Sequence, residues 1–389
     1  MNQTQKAIIL LLKSAILQQP QSLPEGFSLD QSINLIRKHH MAAMIYDGAL
    51  RCGVAPSGIA MQQLFQLYYT ALMKSEGQQQ AIECICRAFS REKIDYMLLK
   101  GSRIKNLFPK PELRYMGDAD ILIRTEQYGK IKPVMVSLGF KYLGETDHEL
   151  RWRSDALSVE LHKRLIATEE RDMYAYYGDG WKLAVPLEGN AYGMKTEDEW
   201  VYLFTHFAKH YRNKGLGCRY VVDLWVWRRA HPDMDEEYIR QALKAMYLDV
   251  FYGHILRLLE YWFEEGAGDE ILDLITEYIF SSGSWGEDEM WVLSQAVRNT
   301  RRSASGFGGR LRYLWRTVFP EVAVFRRNYS VLNKAPWLLP AVWLHRVFDK
   351  LFFDRRKMKL QGKRLKVLTA ENIRLRKEIL NLVGLDFHE

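Results

Sequence analysis

The 389-residue sequence predicts an α+β fold: a small mixed-sheet core flanked by N- and C-terminal helical regions. Three observations carry this reading. Apolar residues recur at helical spacing through Ile8, Leu11, Leu12 and Ile16, and again through Leu64, Leu67, Tyr68 and Leu72. Between residues 94 and 162, short apolar runs alternate with turn residues, as buried strands do. From Thr196 the spacing is helical again, to about residue 300. The expected divisions are a helical region (1–90), an α/β core (91–190), a helical domain closing a cleft over the core (191–300) and a basic helical segment (301–389).

Within the core, Tyr96-Met97-Leu98-Leu99 reads as a strand that turns at Lys100-Gly101-Ser102 into a helix N-terminus. A short helix over Arg103 to Leu107 must stop at Phe108-Pro109-Lys110-Pro111. Proline lacks an amide proton and pushes the residue before it out of the helical region. Asp118-Ala119-Asp120-Ile121-Leu122-Ile123 alternates and then turns apolar, as a buried strand would. A helix is expected over Glu126 to Leu138, ended by Gly139, with further strands at Phe140 to Tyr142 and Leu157 to His162. Thr196 followed by Glu199 is a capping box opening a helix to about Tyr211, and another helix begins near Arg219.

Composition excludes several classes. Cys52, Cys84, Cys86 and Cys218 are too few and too scattered for a disulfide framework, and the Cys84/Cys86 spacing matches no zinc motif. The expectation is a reducing, cytoplasmic setting, with the membrane surface as a further place of contact. The apolar run Ala7 to Leu12 ends at Lys13 without the features of a signal peptide. No stretch approaches the roughly 18 apolar residues that span a bilayer. The net charge of +8 is uneven. Residues 301–389 hold 20 Lys and Arg against 7 Asp and Glu, a local +13, which leaves −5 for the other 300.

The residues that point to chemistry lie in the core. Side chains two apart on a strand share a face, so Asp118 and Asp120 project together. Carboxylates this close repel unless a cation lies between them. Mg2+ suits that arrangement, with Mn2+ as the alternative ion. Glu160 supplies a third carboxylate if its strand is adjacent. Gly101 lets the backbone approach a triphosphate, and Ser102 opens the helix behind it. Lys100 and Arg114 bracket the region with positive charge suited to phosphates.

The set Leu99-Lys100-Gly101-Ser102, Arg114, Gly117-Asp118-Ala119-Asp120-Ile121-Leu122-Ile123 and Val159-Glu160-Leu161-His162 resembles the polymerase-beta-type nucleotidyltransferase superfamily. Within it, the chain looks like the bacterial family described as uncharacterised nucleotidyltransferases. Residues 94–165 carry the core match; the run from Leu203 to Asp223 and the Phe319-Pro320 region also look like that family. The resemblance implies transfer of a nucleoside monophosphate from an NTP such as ATP to an acceptor hydroxyl, with release of pyrophosphate. It implies that Gly101 and Ser102 hold the β and γ phosphates, with Lys100, Arg114, Gly117 and His210 also on the nucleotide. Asp118 and Asp120 would bind both metals, and Glu160 the one nearer the acceptor. The linker of 15 residues between Ser102 and Asp118, with two prolines, departs from the superfamily pattern.

The acceptor stays open: a small molecule, a sugar, RNA or a protein hydroxyl would all fit. His162, two residues after Glu160, faces the same way, beside the metals or bonded to backbone in the core. His206 and His210 share a helix face and, with Asp223, offer a second metal site, which makes a metal-dependent phosphohydrolase one rival. The other rival is a non-catalytic module on the same fold. The basic segment, with Arg310, Arg312 and Arg316 around Tyr313 and Trp315, then Arg326-Arg327 and Arg355-Arg356-Lys357, would hold RNA or an anionic membrane surface. The alternative is a packed helical appendage.

Overall fold

The computed structural model describes residues 1–283, 288–300, 332, 335–343 and 367–388. The arginines from 301 to 327, Tyr313, Trp315, Phe319-Pro320 and Arg355-Arg356-Lys357 lie outside the described residues. The described part divides into two compact units. The first comprises residues 1–209 and 216–284 with the last two residues, and the second 210–215 and 285–387.

The first unit opens with α1 (Gln3–Leu17), α2 (Leu29–Lys38), α3 (Ala42–Arg51) and the long α4 (Ile59–Arg91). Asn2 begins α1 with a capping box, its side chain accepting from the Gln5 amide while Gln5 returns the bond. Ile8, Leu11 and Leu12 are buried as their spacing predicts. The core then runs β1 (Tyr96–Leu98), α5 (Gly101–Ile104), β2 (Asp118–Ile123), α6 (Tyr128–Ser137), β3 (Lys141–Glu145), β4 (Glu149–Arg153), β5 (Ser158–His162), α7 (Arg171–Tyr177), β6 (Val185–Pro186) and β7 (Ala191–Gly193). Helices α8 (Thr196–Asn213), α9 (Cys218–Ala230), α10 (Glu236–Lys244), α11 (Asp249–Phe263) and α12 (Glu270–Ser282) follow. The final residues of α8 belong to the second unit. The chain is thus α+β, with a mixed sheet flanked by helices, as the sequence predicts.

All seven strands form one sheet in the order β3-β4-β5-β2-β1-β7-β6. β2 and β5 are parallel neighbours, while β1 runs antiparallel to β2. One face of the sheet is apolar. Ala119, Ile121 and Ile123 of β2, Leu150 and Trp152 of β4, and Val159 and Leu161 of β5 pack there with Ile85 and Phe89 of α4 and Ile131 and Met135 of α6. Burying each large side chain of this kind contributes about 2 kcal/mol. Because side chains alternate, that packing sends Asp118, Asp120, Glu160 and His162 to the opposite face.

Four strands differ from the expectation, β6 and β7 among them because neither was expected. β4 was not expected, and β3 begins one residue later than Phe140 and runs to Glu145. The phosphate-loop helix is also shorter than predicted: α5 is a single turn that tightens into a 3-10 turn over Lys105–Leu107 before the prolines.

In the second unit, α13 (Asp288–Thr300) and α14 (Ala370–Leu382) are tied by Arg376, whose side chain is buried. It donates to the Ser294 hydroxyl and to the Tyr211 and Arg212 carbonyls, each of the last two at 3.0 Å. Those carbonyls lie at the C-terminal end of α8, where an arginine satisfies orphan acceptors and the helix dipole together. Among the described residues, no helix is long and apolar enough to cross a membrane.

Candidate functional site

Strand pairing brings the predicted carboxylates together. In the parallel β2/β5 register Asp120 lies opposite Glu160, and Leu122 opposite His162. The adjacency that Glu160 requires is therefore present. β1 delivers the glycine loop to the same edge: the Leu99 amide donates to the Asp120 carbonyl at 3.0 Å, so Lys100-Gly101-Ser102 emerges beside the start of β2. Gly117 forms the bend just before Asp118.

At Gly101 only hydrogen fits. A Cβ there would stand 2.9 Å from Nη1 of Arg114 and 3.3 Å from the Met116 side chain. The Ser102 amide is already used, donating to the Leu99 carbonyl at 3.3 Å. Its hydroxyl, by contrast, is buried and has no partner. A one-turn helix also has little dipole to offer an anion. Any phosphate here would rely on that hydroxyl more than on the helix end.

Asp120 is the centre of the cluster. Its Oδ1 accepts from Lys100 Nζ at 3.0 Å and from His162 Nε2 at 2.7 Å. His162 Nε2 also lies 3.8 Å from Glu160 Oε2. Donor atoms of Asp120, Glu160 and His162 all fall within 4.8 Å of one another, a grouping that could hold a metal ion. Asp118, on the same face, is not one of those three, but it feels the charges of Asp120, Lys100 and Arg219.

The charges in this pocket are unequal. Burial would raise Asp120, but the Lys100 ammonium and the His162 bond outweigh it and hold the carboxyl well below its usual range. Burial and repulsion from Asp120 push Asp118 up to about 6. Burial, then Asp120, Asp118 and Glu149, push Glu160 up to about 8. Burial opposes the Lys100 charge, yet Asp120 beside it raises the amine above its ordinary value. Two of the three carboxyl groups thus ionise only at a cost, which a bound cation would lower.

His162 is held down by burial and by the Lys100 charge, so it is neutral near pH 7. Its Nδ1 is buried without a partner. A buried lone pair costs less than a buried N–H left unmet, so we assign the proton to Nε2, donating to Asp120. The metal donors that remain are carboxylate oxygens, the set preferred by Mg2+ and Mn2+.

The other predicted residues have different surroundings. Arg114 is buried in a two-pronged ion pair, Nε and Nη2 each 2.8 Å from a different oxygen of Asp223 on α9. The carboxylate considered for a second metal site is therefore taken. Among the described residues, the Asp120, Glu160 and His162 group is the one whose donor atoms converge. His206 lies on α8 in the first unit, and His210 in the last turn of α8, in the second unit.

Three further residues lie beside the site: Lys209 and Arg219 read in the sequence as positive charges that could meet phosphate or be solvated, and Glu149 carried no local signal. Glu149 opens β4, opposite His162, and raises Glu160. Arg219 is buried, donates Nη1 to the Tyr115 carbonyl at 2.9 Å and leaves Nε without a partner. Lys209 has its amine pushed down by burial and by Lys100. Glu149 reaches the site only through the β4/β5 pairing, which no local pattern announces.

The sequence pattern of the uncharacterised nucleotidyltransferase family matches residues 25–264, more than half of the chain. The chain belongs to that family. No curated protein and no solved structure matches it. For this nucleotidyltransferase-family chain, the matched span contains every carboxylate of the cluster, the glycine loop, and both partners of the Arg114–Asp223 pair.

Proposed function

We propose that this protein is a nucleotidyltransferase dependent on Mg2+ or Mn2+, transferring an NMP from an NTP to an acceptor hydroxyl. The observation that carries the reading is the β2/β5 register, which sets Asp120 against Glu160 at the edge where the Gly101-Ser102 loop emerges. Membership of the family supports it from the sequence side.

Asp118, Asp120 and Glu160 would hold the cation. When bound, it supplies positive charge to the triphosphate and to the developing oxyanions of an in-line displacement. The unpartnered Ser102 hydroxyl would donate to the triphosphate, and Gly101 lets the loop lie close against Arg114 and Met116. The acceptor oxygen attacks the α-phosphorus, the bond to the bridging oxygen of the β-phosphate breaks, and pyrophosphate leaves. Glu160 takes the acceptor's proton. His162 keeps the Asp120 carboxylate in one orientation, and the buried Arg219 and Lys209 add positive charge beside the leaving group. Most of the catalysis in such a site is positioning and charge neutralisation.

The test is pyrophosphate release from each of the four NTPs with Mg2+ or Mn2+, compared between wild type and Asp118→Asn/Asp120→Asn. Release that requires the cation and vanishes in the variant is the expected result. Equal release from the two proteins would remove the metal site from the mechanism.

A further inference from the structure

The site already contains a cation, and it is part of the chain. Asp118, Asp120 and Glu160 bring three carboxyl groups to one face. The charge that touches the central one is the Lys100 ammonium, 3.0 Å from Asp120 Oδ1, with both side chains about nine-tenths buried. Resting on the reading above, we infer that Lys100 is the resident counter-ion of this site. It competes with the divalent cation for Asp120 and, once displaced, passes to the triphosphate.

Four features support an exchange in place of a permanent ion pair. The contact to Asp120 is single, ammonium to one oxygen, with the Tyr202 ring 5.8 Å away as a further neighbour, whereas the structural pair nearby uses two bonds. The same Oδ1 also accepts from His162, so Lys100 is not needed to orient the carboxylate. The main chain at Lys100 is fixed: its carbonyl accepts from the Arg103 and Ile104 amides at 3.0 and 2.9 Å. Its φ of 42° and ψ of −112° form a conformation that residues with a Cβ rarely adopt. That backbone aims a lysine stem at Asp120 from the residue before the phosphate loop. Only the four-carbon side chain has to move for the ammonium to leave one anion and meet another.

The neighbourhood favours departure once a second cation arrives. Lys209 already places a like charge near Lys100. The unpartnered Ser102 hydroxyl marks where an anion would be received, two residues away along the chain. Cation entry and triphosphate binding are then linked: the cation frees the ammonium, and the ammonium adds to the grip on the triphosphate. By reciprocity each ligand raises the affinity for the other.

The experiment is a Mn2+ titration of the full chain, followed by electron paramagnetic resonance without nucleotide. It uses wild type, Lys100→Met, Lys100→Gln, Lys100→Arg, Lys209→Met and Asp120→Asn. Losing a unit charge in contact with Asp120 should tighten Mn2+ binding by about ten-fold or more in Lys100→Met and Lys100→Gln. Lys100→Arg should bind Mn2+ as wild type does. Lys209→Met, which removes a nearby charge without freeing Asp120, should change affinity by less than about three-fold. With Mn2+ saturating, Lys100→Met should bind ATP more weakly than wild type. Unchanged or weaker Mn2+ binding in both neutral Lys100 variants overturns the inference, as does an equal gain in Lys209→Met. If neither wild type nor any variant binds Mn2+, the metal-site reading and this inference fall together. If wild type binds and Asp120→Asn does not, the reading stands whatever Lys100 does. Should Lys100→Met not fold, Lys100→Gln and the Arg rescue decide the matter.

Discussion

Two buried ion pairs flank one glycine, and they differ in every respect that matters. Arg114 and Asp223 meet through two bonds of 2.8 Å and are almost fully buried. Lys100 and Asp120 meet through one bond of 3.0 Å between the loop after β1 and strand β2, with both side chains about nine-tenths buried. The first pair joins the linker before β2 to α9, and its third nitrogen packs against Gly101. It holds the loop in place. The second pair neutralises the carboxylate proposed above to bind a cation. The two pairs thus differ in their bonding, two-pronged in one and single in the other, and a two-pronged guanidinium–carboxylate contact is the stronger and more specific of the two.

The largest effect is expected at the exchangeable pair. Asp120→Asn should lower cation-dependent pyrophosphate release by about a thousand-fold or more, since it removes the central ligand. Circular dichroism should show the fold retained.

Next in size is the fixed pair. Asp223→Ala leaves a buried guanidinium without its anion and should cost about 3–5 kcal/mol in urea unfolding. Mn2+ affinity of the folded fraction should stay within about two-fold of wild type, because Asp223 touches no cation ligand. A loss of Mn2+ affinity as great as that of Asp120→Asn would erase the distinction between the pairs.

The pH response separates them further. Glu160 is raised from 4.5 to about 8, so the folded protein binds more protons than the unfolded chain across that window. Stability without cation should therefore fall as pH rises from about 4.5 to 8, by roughly 2 kcal/mol after allowance for solvent screening. Thermal melts at pH 5, 6.5 and 8 test this. Glu160→Gln should flatten the dependence, and Mn2+ at pH 8 should restore what was lost.

The smallest effect concerns a third buried cation that has no anion. Lys105 is almost fully buried, and its ammonium donates only to the Ser75 carbonyl, at 3.3 Å. Burial, then Arg114, push it down to about 8. Its folded value lies below the unfolded 10.5, so its penalty is present at pH 7 and disappears as pH rises from 8 to 10.5. Lys105→Met should stabilise the protein at pH 7 by about 1 kcal/mol, measured as a higher Tm. A lower Tm would mean that this lysine has a partner role like that of Lys100.

Much of the site was legible because its residues are close in sequence or alternate on strands. Asp118 and Asp120 share a face by spacing alone, and β2 buries Ala119, Ile121 and Ile123 on the other. Glu160 needed one non-local fact, the β2/β5 pairing. What stayed hidden was longer in range. Arg114 reads as a phosphate contact, and its ion pair with Asp223, 109 residues away, could not be read from the sequence. β4 carries an alternating pattern, with Leu150 and Trp152 inward and Arg151 and Arg153 outward. Its charged residues masked the period of two. β6 and β7 are two and three residues long, set by pairing with each other and with β1, and nothing local announces them.

The central claim is that the carboxylates of β2 and β5 bind a divalent cation that brings the triphosphate to the Gly101-Ser102 loop. Calorimetric titration of ATP into wild type and into Asp118→Asn/Asp120→Asn, each with and without Mg2+, tests it most directly. The account predicts binding to wild type that depends on Mg2+, and none to the double variant under either condition. Equal, Mg2+-dependent affinity of the two proteins for ATP would contradict it.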